Sequence, residues 1–454
     1  MRETKLHPAS AVIAGLGRTG LSCARYLRAR GWRIAVTDSR ENPPELAALR
    51  ELDPQITLRL GGLDASLLTD AACVVSSPGL SPEEPFFAEA RRRGVEIVGD
   101  VELFALAVDA PVVGITGTNG KSTVTTLVGR MAQRAGLNVR VGGNLGSPAL
   151  ELLLDAQRDS RRTDLYVLEL SSFQLETTMS LDLRVAAVLN VTADHLDRYR
   201  SLEHYAAAKA RIFGRCDAAV INLDDPLVVA MAPRGARTLS FSLLSPMGAD
   251  YCVTEPAGTS GWWLAKGTQA LLPLSALKIT GLHNAANALA ALAIGEALAL
   301  PLEDMLAELR NFPGLAHRSQ WVASIDGVTY VDDSKGTNVG ATLAAVAGTR
   351  GPVVLIAGGE GKGQDFSALR AAFASKVRAV VLIGRDADEI DRVLNGVCLI
   401  ERAATLEGAV RAAARLARAG DTVLLSPACA SLDMFRDYAH RGTVFSEAVR
   451  KLAA

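Results

Sequence analysis

The sequence predicts an α/β protein of three domains, and three observations carry that prediction. An apolar run that enters a glycine-rich turn and then a helical pattern begins near residue 11, and comparable strand-and-loop units restart near residues 112 and 328. Each restart is followed by further short apolar runs separated by helical periodicity, the order expected of mostly parallel sheets covered by helices. At 454 residues the chain exceeds what one hydrophobic core organises, since domains average roughly 100 to 200 residues. The 49% hydrophobic and 21% charged content is that of a globular chain able to bury enough apolar surface to fold.

In the first domain, residues 1–99, an apolar strand at 11–14 ends in GLGRTG. The periodic LSCARYLRARG and then RIAVTDSR complete a strand, turn, helix and strand, and CVVSSPGL and VEIVGD extend the sheet. The turn Gly15-x-Gly17-x-x-Gly20 allows backbone to approach a pyrophosphate at a helix N-terminus, with Asp38 as acceptor for a ribose or base. This is a Rossmann-like pattern. Taken alone it fits a dinucleotide site, another nucleotide site or a tight turn.

The second domain, residues 100–314, opens with VVGITGTNGKSTVTTLVGRMA, a strand running through a glycine-rich loop into a helix. Gly117, Thr118, Asn119, Gly120, Lys121, Ser122 and Thr123 form a phosphate loop: backbone N–H groups around phosphates, a lysine for the β/γ oxygens, a hydroxyl for Mg²⁺. Ile115 stands where the full G-x-x-x-x-G-K-[ST] spacing has its first glycine. The fold expected is α/β of the P-loop ATPase type, binding ATP or GTP. LYVLELSS, AAVLNVTADH and AAVINLDD supply further strands, residues 243–274 a β-rich excursion, and GLHNAANALAALAIGEAL a helix. Glu169 ends an apolar strand, where a carboxylate reaches a nucleotide-bound magnesium or simply faces water. By pattern alone, His195 in NVTADHLDRY and Lys209 on the following helix are ordinary residues.

The third domain, residues 315–454, is a second Rossmann-like α/β unit with VTYVDDSKGTN, VVLIAGGEG, AVVLIGRDA and TVLLSPACAS between alanine-rich helices. Its strand-following loops gather Asp333, Lys335 and Thr337, then Lys362 within a glycine run, then Ser431. The second of these suits an anion such as a carboxylate or phosphate. Cys429 reads as packing rather than as a nucleophile.

A net charge of −1 supplies none of the general attraction on which nucleic-acid and anionic-membrane binders rely. The six cysteines are scattered, with no C-x-x-C pair and no clustering with the six histidines, as expected of reduced thiols. The polar N-terminus and the short apolar run after it do not suit a signal segment or a membrane span.

In order along the chain, GLGRTG, TGTNGKSTV, GGNLG, LELSSFQLE, LNVTADHLDRY, AAKARIF, HNAANALAAL, GLAHR, DDSKGTNVGAT, GGEGKGQDF and SPACASLDMF resemble the blocks of the Mur ligase family over nearly the whole chain. The resemblance implies that the first loop holds the UDP of a UDP-sugar and no nicotinamide. Arg18, Thr19, Asp38, Ser39, Arg40, Ser77, Pro78, Gly79 and Asn144 would face it. The implied reaction is ATP-dependent ligation of D-glutamate to UDP-N-acetylmuramoyl-L-alanine through an acyl phosphate, in cytoplasmic peptidoglycan precursor synthesis in a bacterium. The protein is expected to act as a monomer, with no nucleic-acid partner and no membrane insertion.

The same resemblance implies roles for single residues. Lys121 would neutralise the γ-phosphate, Ser122 and Glu169 would hold one Mg²⁺, and His195 would hold a second with Lys209 carbamylated by CO₂. Residues 117–123 with Asn284, Asn287, Arg318 and Asp333 would bind ATP, and Lys335, Thr337, Lys362, Ser431, Leu432 and Tyr438 would line the glutamate pocket. Tyr438 stands where the family often has phenylalanine. Because sites come from different domains, hinges near Gly99 and Leu315 are expected to close the cleft and keep water from the acyl phosphate.

The alternatives are separable. L-glutamate would use the same carboxylate-binding residue types. A folylpolyglutamate-type ligase does not account for the GLGRTG-to-DSR block, and a Mur ligase for another amino acid would carry its own third-domain specificity motif. A nicotinamide oxidoreductase leaves the second loop without a purpose, and a P-loop switch has no need of the third-domain loops.

Overall fold

The computed structural model describes residues 9–245, 248–258, 261–279, 281–349 and 351–452, and its three sheets follow the three restarts. The polar stretch at 1–8 and parts of the 243–274 excursion, at 246–247 and 259–260, lie outside the described residues. No helix among the described residues is long and apolar enough to cross a membrane.

The first sheet has the order β3-β2-β1-β4-β5, with β1 (Ser10–Ala14), β2 (Arg33–Asp38), β3 (Thr57–Leu60), β4 (Cys73–Ser76) and β5 (Glu96–Val98) all parallel. The chain leaves β1 to one side for β2 and later returns to its other side for β4. This creates a crevice at the C-terminal ends of β1 and β4, the place where open α/β sheets bind ligands. The glycine turn after β1 and residues 77–80 after β4 form its rim.

The second sheet has nine strands in the order β14-β13-β12-β11-β10-β9-β6-β8-β7. These are β6 (Val112–Thr116), β7 (Val139–Gly143), β8 (Leu165–Glu169), β9 (Leu183–Val188), β10 (Cys216–Asn222), β11 (Arg237–Ser242), β12 (Tyr251–Thr254), β13 (Trp263–Lys266) and β14 (Gln269–Pro273). β12, β13 and β14 form an antiparallel meander at one edge, the β-rich excursion expected from the sequence. β6 and β8 are buried at every position, which is why they read as unbroken apolar runs. The helix Leu282–Ala297 is apolar on all sides because it is enclosed: every residue from 288 to 294 is fully buried.

The third sheet, β15-β16-β20-β17-β18-β19, comprises β15 (Gln320–Ile325), β16 (Val328–Asp332), β17 (Val353–Gly358), β18 (Val377–Ile383), β19 (Leu399–Arg402) and β20 (Thr422–Leu425). Only β15 runs antiparallel, as a hairpin with β16.

The junction at residue 99, where the sequence suggested a hinge, is a packed joint. A Cβ on Gly99 would lie 2.2 Å from the Thr177 hydroxyl. Asp100, 1% exposed, accepts from Gln174 Nε2 at 3.1 Å, and Glu102 accepts from the Met179 and Ser180 N–H groups at 2.7 and 2.9 Å. Burial pushes the Asp100 carboxyl up to about 6, against the hydrogen bond from Gln174. A folded-state value above the ordinary 3.8 means that the folded chain binds the extra proton. The stabilisation is therefore full below about pH 4 and lost as pH rises through 6. Asp100→Asn keeps the acceptor for Gln174 and removes the charge. Its unfolding midpoint is expected to match wild type at pH 4 and exceed it at pH 8, by the equivalent of ~1–3 kcal/mol.

Candidate active site

The phosphate loop is positioned by the strand before it and the helix Lys121–Arg134 after it. Gly120 caps that helix at φ 83°, and a Cβ there would lie 2.3 Å from Asn287 Oδ1, so the loop needs glycine on both conformational and steric grounds. The first turn of the helix leaves N–H groups free for phosphate oxygens. The loop is pinned from below by Asn190 after β9. Asn190 O accepts from Thr118 N–H at 2.9 Å, its Oδ1 from Asn119 N–H at 2.8 Å, and its Nδ2 donates to Asn119 O at 3.1 Å.

Two lysines converge on this loop. Lys121 Nζ donates to Gly117 O and Thr118 O at 2.7 and 2.8 Å, and Lys209 Nζ, from the helix Leu202–Ala210, donates to the same Gly117 O at 2.9 Å. Lys209 is 1% exposed and lies 4.3 Å over the Tyr205 ring, and among the described residues no carboxylate forms an ion pair with it. Burial, and then the Lys121 charge, hold the Lys209 amine well below the usual lysine range; Lys121 is lowered chiefly by burial.

Opposite them Glu169, the last residue of β8, accepts from Ser122 Oγ at 2.6 Å and Asn144 Nδ2 at 2.7 Å. Burial pushes its carboxyl up, but the Lys121 charge and these two hydrogen bonds outweigh burial and keep it below the ordinary range. Arg318 reaches across from the third domain, donating to Ser122 Oγ at 2.8 Å.

His195 sits at φ 56°, an uncommon conformation for a residue with a Cβ. Its imidazole is lowered to about 4, first by burial and then by Lys362 and Lys121 against the pull of Asp194, so it is neutral with a lone pair to offer. Asp194 accepts from Lys362 Nζ at 2.8 Å and Asn338 Nδ2 at 3.2 Å, and Asn338 also pairs with the Asn119 side chain at 3.2 Å. The third domain is thus docked on the phosphate loop and on the turn carrying His195.

Two cavities flank this centre. One of about 250 Å³ between the second and third domains brings together seven residues of the expected ATP set: Asn119, Gly120, Thr123, Asn284, Asn287, Arg318 and Asp333. His283 and Lys335 also line it. Gly117, Thr118, Lys121 and Ser122 do not line it and belong to the polar cluster above. Asp333 accepts from Ser426 Oγ at 2.7 Å and Ser319 N–H at 3.0 Å, and burial raises its carboxyl to about 6.

The other cavity, about 510 Å³, lies over the crevice of the first sheet and is lined by all nine residues expected at the UDP-sugar: Arg18, Thr19, Asp38, Ser39, Arg40, Ser77, Pro78, Gly79 and Asn144. Asp38 enters it with its oxygens already engaged, by Leu16 N–H at 2.6 Å and by the Arg40 backbone and guanidinium at 2.8–2.9 Å. Burial works against the charge, yet Arg40 and Leu16 hold the carboxyl down at about 2. Its structural work is to tie the glycine turn to Arg40.

The residues expected at glutamate lie on loops after β16, β17 and β20 and at the start of the helix Tyr438–Leu452. Lys335 Nζ lies 3.8 Å over the Tyr438 ring, while the Tyr438 carbonyl accepts from Ser334 Oγ at 2.8 Å, so position 438 acts through both ring and backbone. Burial lowers Lys335 to about 8, with Arg318 adding to the effect. Lys362 is the residue bound to Asp194, Thr337 shares the Lys335 loop, Ser431 is buried, and Leu432 is 68% exposed. Of this set only Lys335 lines either of the two cavities. Cys429 is fully buried and its thiol is pushed up to about 12, as a packing cysteine should be.

Sequence reasoning missed several supports. Arg441, fully buried, donates to Ser334 Oγ and O at 3.0 and 2.8 Å and to the Cys429 and Ala430 carbonyls, joining two of the loops. His317 Nδ1 pairs with Asp332 at 2.7 Å while its carbonyl accepts from Lys335 N–H at 3.1 Å. Arg441 falls in none of the blocks singled out in the sequence, and His317 lies in GLAHR without a role assigned to it.

Comparison with known proteins finds relatives over nearly the whole chain. Residues 9–99 match the family described as Mur ligase MurD-like, N-terminal domain, residues 115–295 the Mur ligase middle domain, and residues 317–429 the Mur ligase, glutamate ligase domain. The UDP-N-acetylmuramoylalanine–D-glutamate ligase of Nitrosococcus oceani is 51% identical over 446 residues, covering 98% of this chain and 97% of that protein. The ligase of the same name from Methylococcus capsulatus is 53% identical, covering 97% and 95%. Among solved structures, the UDP-N-acetylmuramate-alanine ligase of Thermotoga maritima superposes with a TM-score of 0.62 at 19% identity, over 98% of this chain and all of that one. That likeness speaks for the fold alone.

Proposed function

We propose a reaction for this cleft from one premise: the chain belongs to the Mur ligase family. It is an ATP-dependent ligase that joins D-glutamate to UDP-N-acetylmuramoyl-L-alanine in peptidoglycan synthesis. The observation that carries the assignment to this cleft is Asn144, which lines the UDP-sugar cavity and also donates to Glu169 beside the phosphate loop. A substrate whose UDP sits over the first sheet therefore extends its acyl end toward the γ-phosphate.

In the first step a carboxylate oxygen of the substrate attacks the γ-phosphorus, the bond to the bridging oxygen breaks, and ADP leaves. The glutamate amine then adds to the acyl carbon, and phosphate departs with the oxygen it gained and takes up the proton that the amine gives up. Negative charge gathers on oxygens in both steps, on the phosphoryl group in the first and on the acyl oxygen and the departing phosphate in the second, so fixed positive groups and backbone N–H donors do the work and no protein nucleophile is needed. Lys121 and Arg318 supply that charge from two domains, and docking of the third domain keeps water from the acyl phosphate.

The donor set fits Mg²⁺, which takes one or two carboxylates and completes its shell with phosphates and water. Glu169 is held ionised beside the Ser122 hydroxyl, and among the described residues no group of three or more histidine, cysteine or acidic side chains forms a cage. Ser122 and Glu169 would hold one ion, and His195 with a carbamate on Lys209 a second; when bound, the ions offset charge on the transferring phosphoryl group. An enclosed lysine with no carboxylate partner supports the carbamate. Lys335, Thr337, Lys362, Ser431, Leu432 and Tyr438 receive the glutamate. Each substrate site is built from this chain's own residues, which supports a monomer, and the substrates are those of the bacterial cytoplasm.

Substrate carrying ¹⁸O in its carboxylate tests the activation step. One labelled oxygen is expected in each phosphate released. Unlabelled phosphate would rule out the acyl phosphate.

A further inference from the structure

Residues 77–80 form a partition. Ser77, Pro78 and Leu80 line the UDP-sugar cavity and also a second cavity of about 200 Å³, so this stretch has open space on both sides, and Leu80 is its contact with the hydrophobic core beneath. Its first residue is tied to the strand before it, through Ser77 N–H to Ala14 O at 2.9 Å and Ser77 Oγ to Gly15 O at 3.0 Å. Its far end rests on a residue of the second domain. One terminal nitrogen of Arg198 donates to Pro78 O at 3.0 Å and Leu80 O at 2.9 Å, and the other to Glu176 at 2.6 Å. The guanidinium lies 4.2 Å over the Phe173 ring, and the side chain is 14% exposed.

Arg198 also belongs to the turn carrying His195. Its N–H donates to His195 O at 3.0 Å, the same Phe173 ring meets the His195 imidazole edge-on at 4.9 Å, and Glu176 accepts from Tyr199 OH at 2.6 Å. One side chain therefore fixes the partition of the UDP-sugar cavity relative to the catalytic turn.

We propose that Arg198 is a positioning residue for the UDP-sugar substrate: it braces the 77–80 partition from the second domain and so sets how that substrate lies relative to the reacting centre. The proposal rests on the reading that the 510 Å³ cavity takes the UDP-sugar. A planar fork that reaches two carbonyls and a carboxylate while stacking on a ring is a task for guanidinium, and an ammonium cannot repeat it.

The test is steady-state kinetics of the full chain with Arg198→Lys and Glu176→Gln, titrating UDP-N-acetylmuramoyl-L-alanine and ATP separately, with unfolding midpoints alongside. Loss of charge-assisted hydrogen bonds predicts a rise of ~10- to 100-fold in KM for the UDP-sugar in Arg198→Lys, with KM for ATP within about twofold and kcat falling less than KM rises. Glu176→Gln removes the charge and leaves one acceptor oxygen where Arg198 and Tyr199 now use one carboxylate oxygen each, and it should shift the same KM in the same direction by less. Should Arg198→Lys fail to fold, Glu176→Gln decides alone. An unchanged KM for the UDP-sugar, or an equal rise for both substrates, overturns the brace. A wild-type chain that does not turn over the UDP-sugar overturns the functional reading instead.

Discussion

Lys121→Ala is expected to lower kcat by about 10²- to 10³-fold, the loss typical of removing one fixed charge from a developing oxyanion. Lys121 is a cation of the glycine-rich loop proposed to hold phosphate, and its ammonium donates to two loop carbonyls. No carboxylate has to be displaced before it can meet a phosphoryl group. Glu169 loses a compensating charge in the variant, so its carboxyl should rise from its depressed value. The fold should survive, because the loop stays pinned by Asn190 through three hydrogen bonds. Steady-state turnover with an unfolding midpoint as control measures the effect; a variant within tenfold of wild type in kcat would remove Lys121 from the chemistry.

Lys209→Arg is expected to be as damaging as Lys209→Ala, each losing about 10²-fold or more. If the side chain acted as a simple cation, arginine would retain much of the activity. If it acts as a carbamate, arginine cannot replace it. The enclosed amine beside Lys121, with Gly117 O and the Tyr205 ring as its partners, is in a poor place for a permanent positive charge. Carbon-13 NMR of the wild type under labelled CO₂ should show a carbamate signal that Lys209→Arg lacks. Activity should fall on degassing and return with bicarbonate. Full activity in Lys209→Arg would contradict this role.

What was legible in the sequence was local. The glycine-rich loop at 117–123, the acid closing β8 and the nine residues that line the 510 Å³ cavity sit in or beside short strand-to-helix connections, where one segment carries the local geometry. The helix at 282–297 and the β-rich excursion were readable from local pattern as well. His195 and Lys209 were not distinctive by pattern, and only the family resemblance singled them out. Their setting depends on Gly117 and Lys362, which the fold brings in from elsewhere.

The omissions have a physical cause as well. Asn338 meets Asn119 across 219 positions, and Arg441 meets Ser334 across 107. A polar residue that acts only through so distant a partner leaves no periodic trace. Strands β3, β15 and β19 lie at sheet edges and are only partly buried, so they lack the apolar runs that marked the central strands. β7 ends in Gly142 and Gly143, and those glycines admit the Ser147 and Glu169 carbonyls at close range. At Gly99, near which a hinge is expected, the missing side chain makes room for Thr177.

Ligation of D-glutamate to UDP-N-acetylmuramoyl-L-alanine at the expense of ATP can be followed as phosphate release with ATP, Mg²⁺ and the UDP-sugar, in the presence of D-glutamate, L-glutamate or no amino acid, with the product weighed by mass spectrometry. Turnover is expected to depend on D-glutamate, and the product to be heavier by one glutamyl residue. Turnover with L-glutamate alone would contradict the stereochemical assignment, and phosphate release indifferent to both amino acids would contradict the ligase itself.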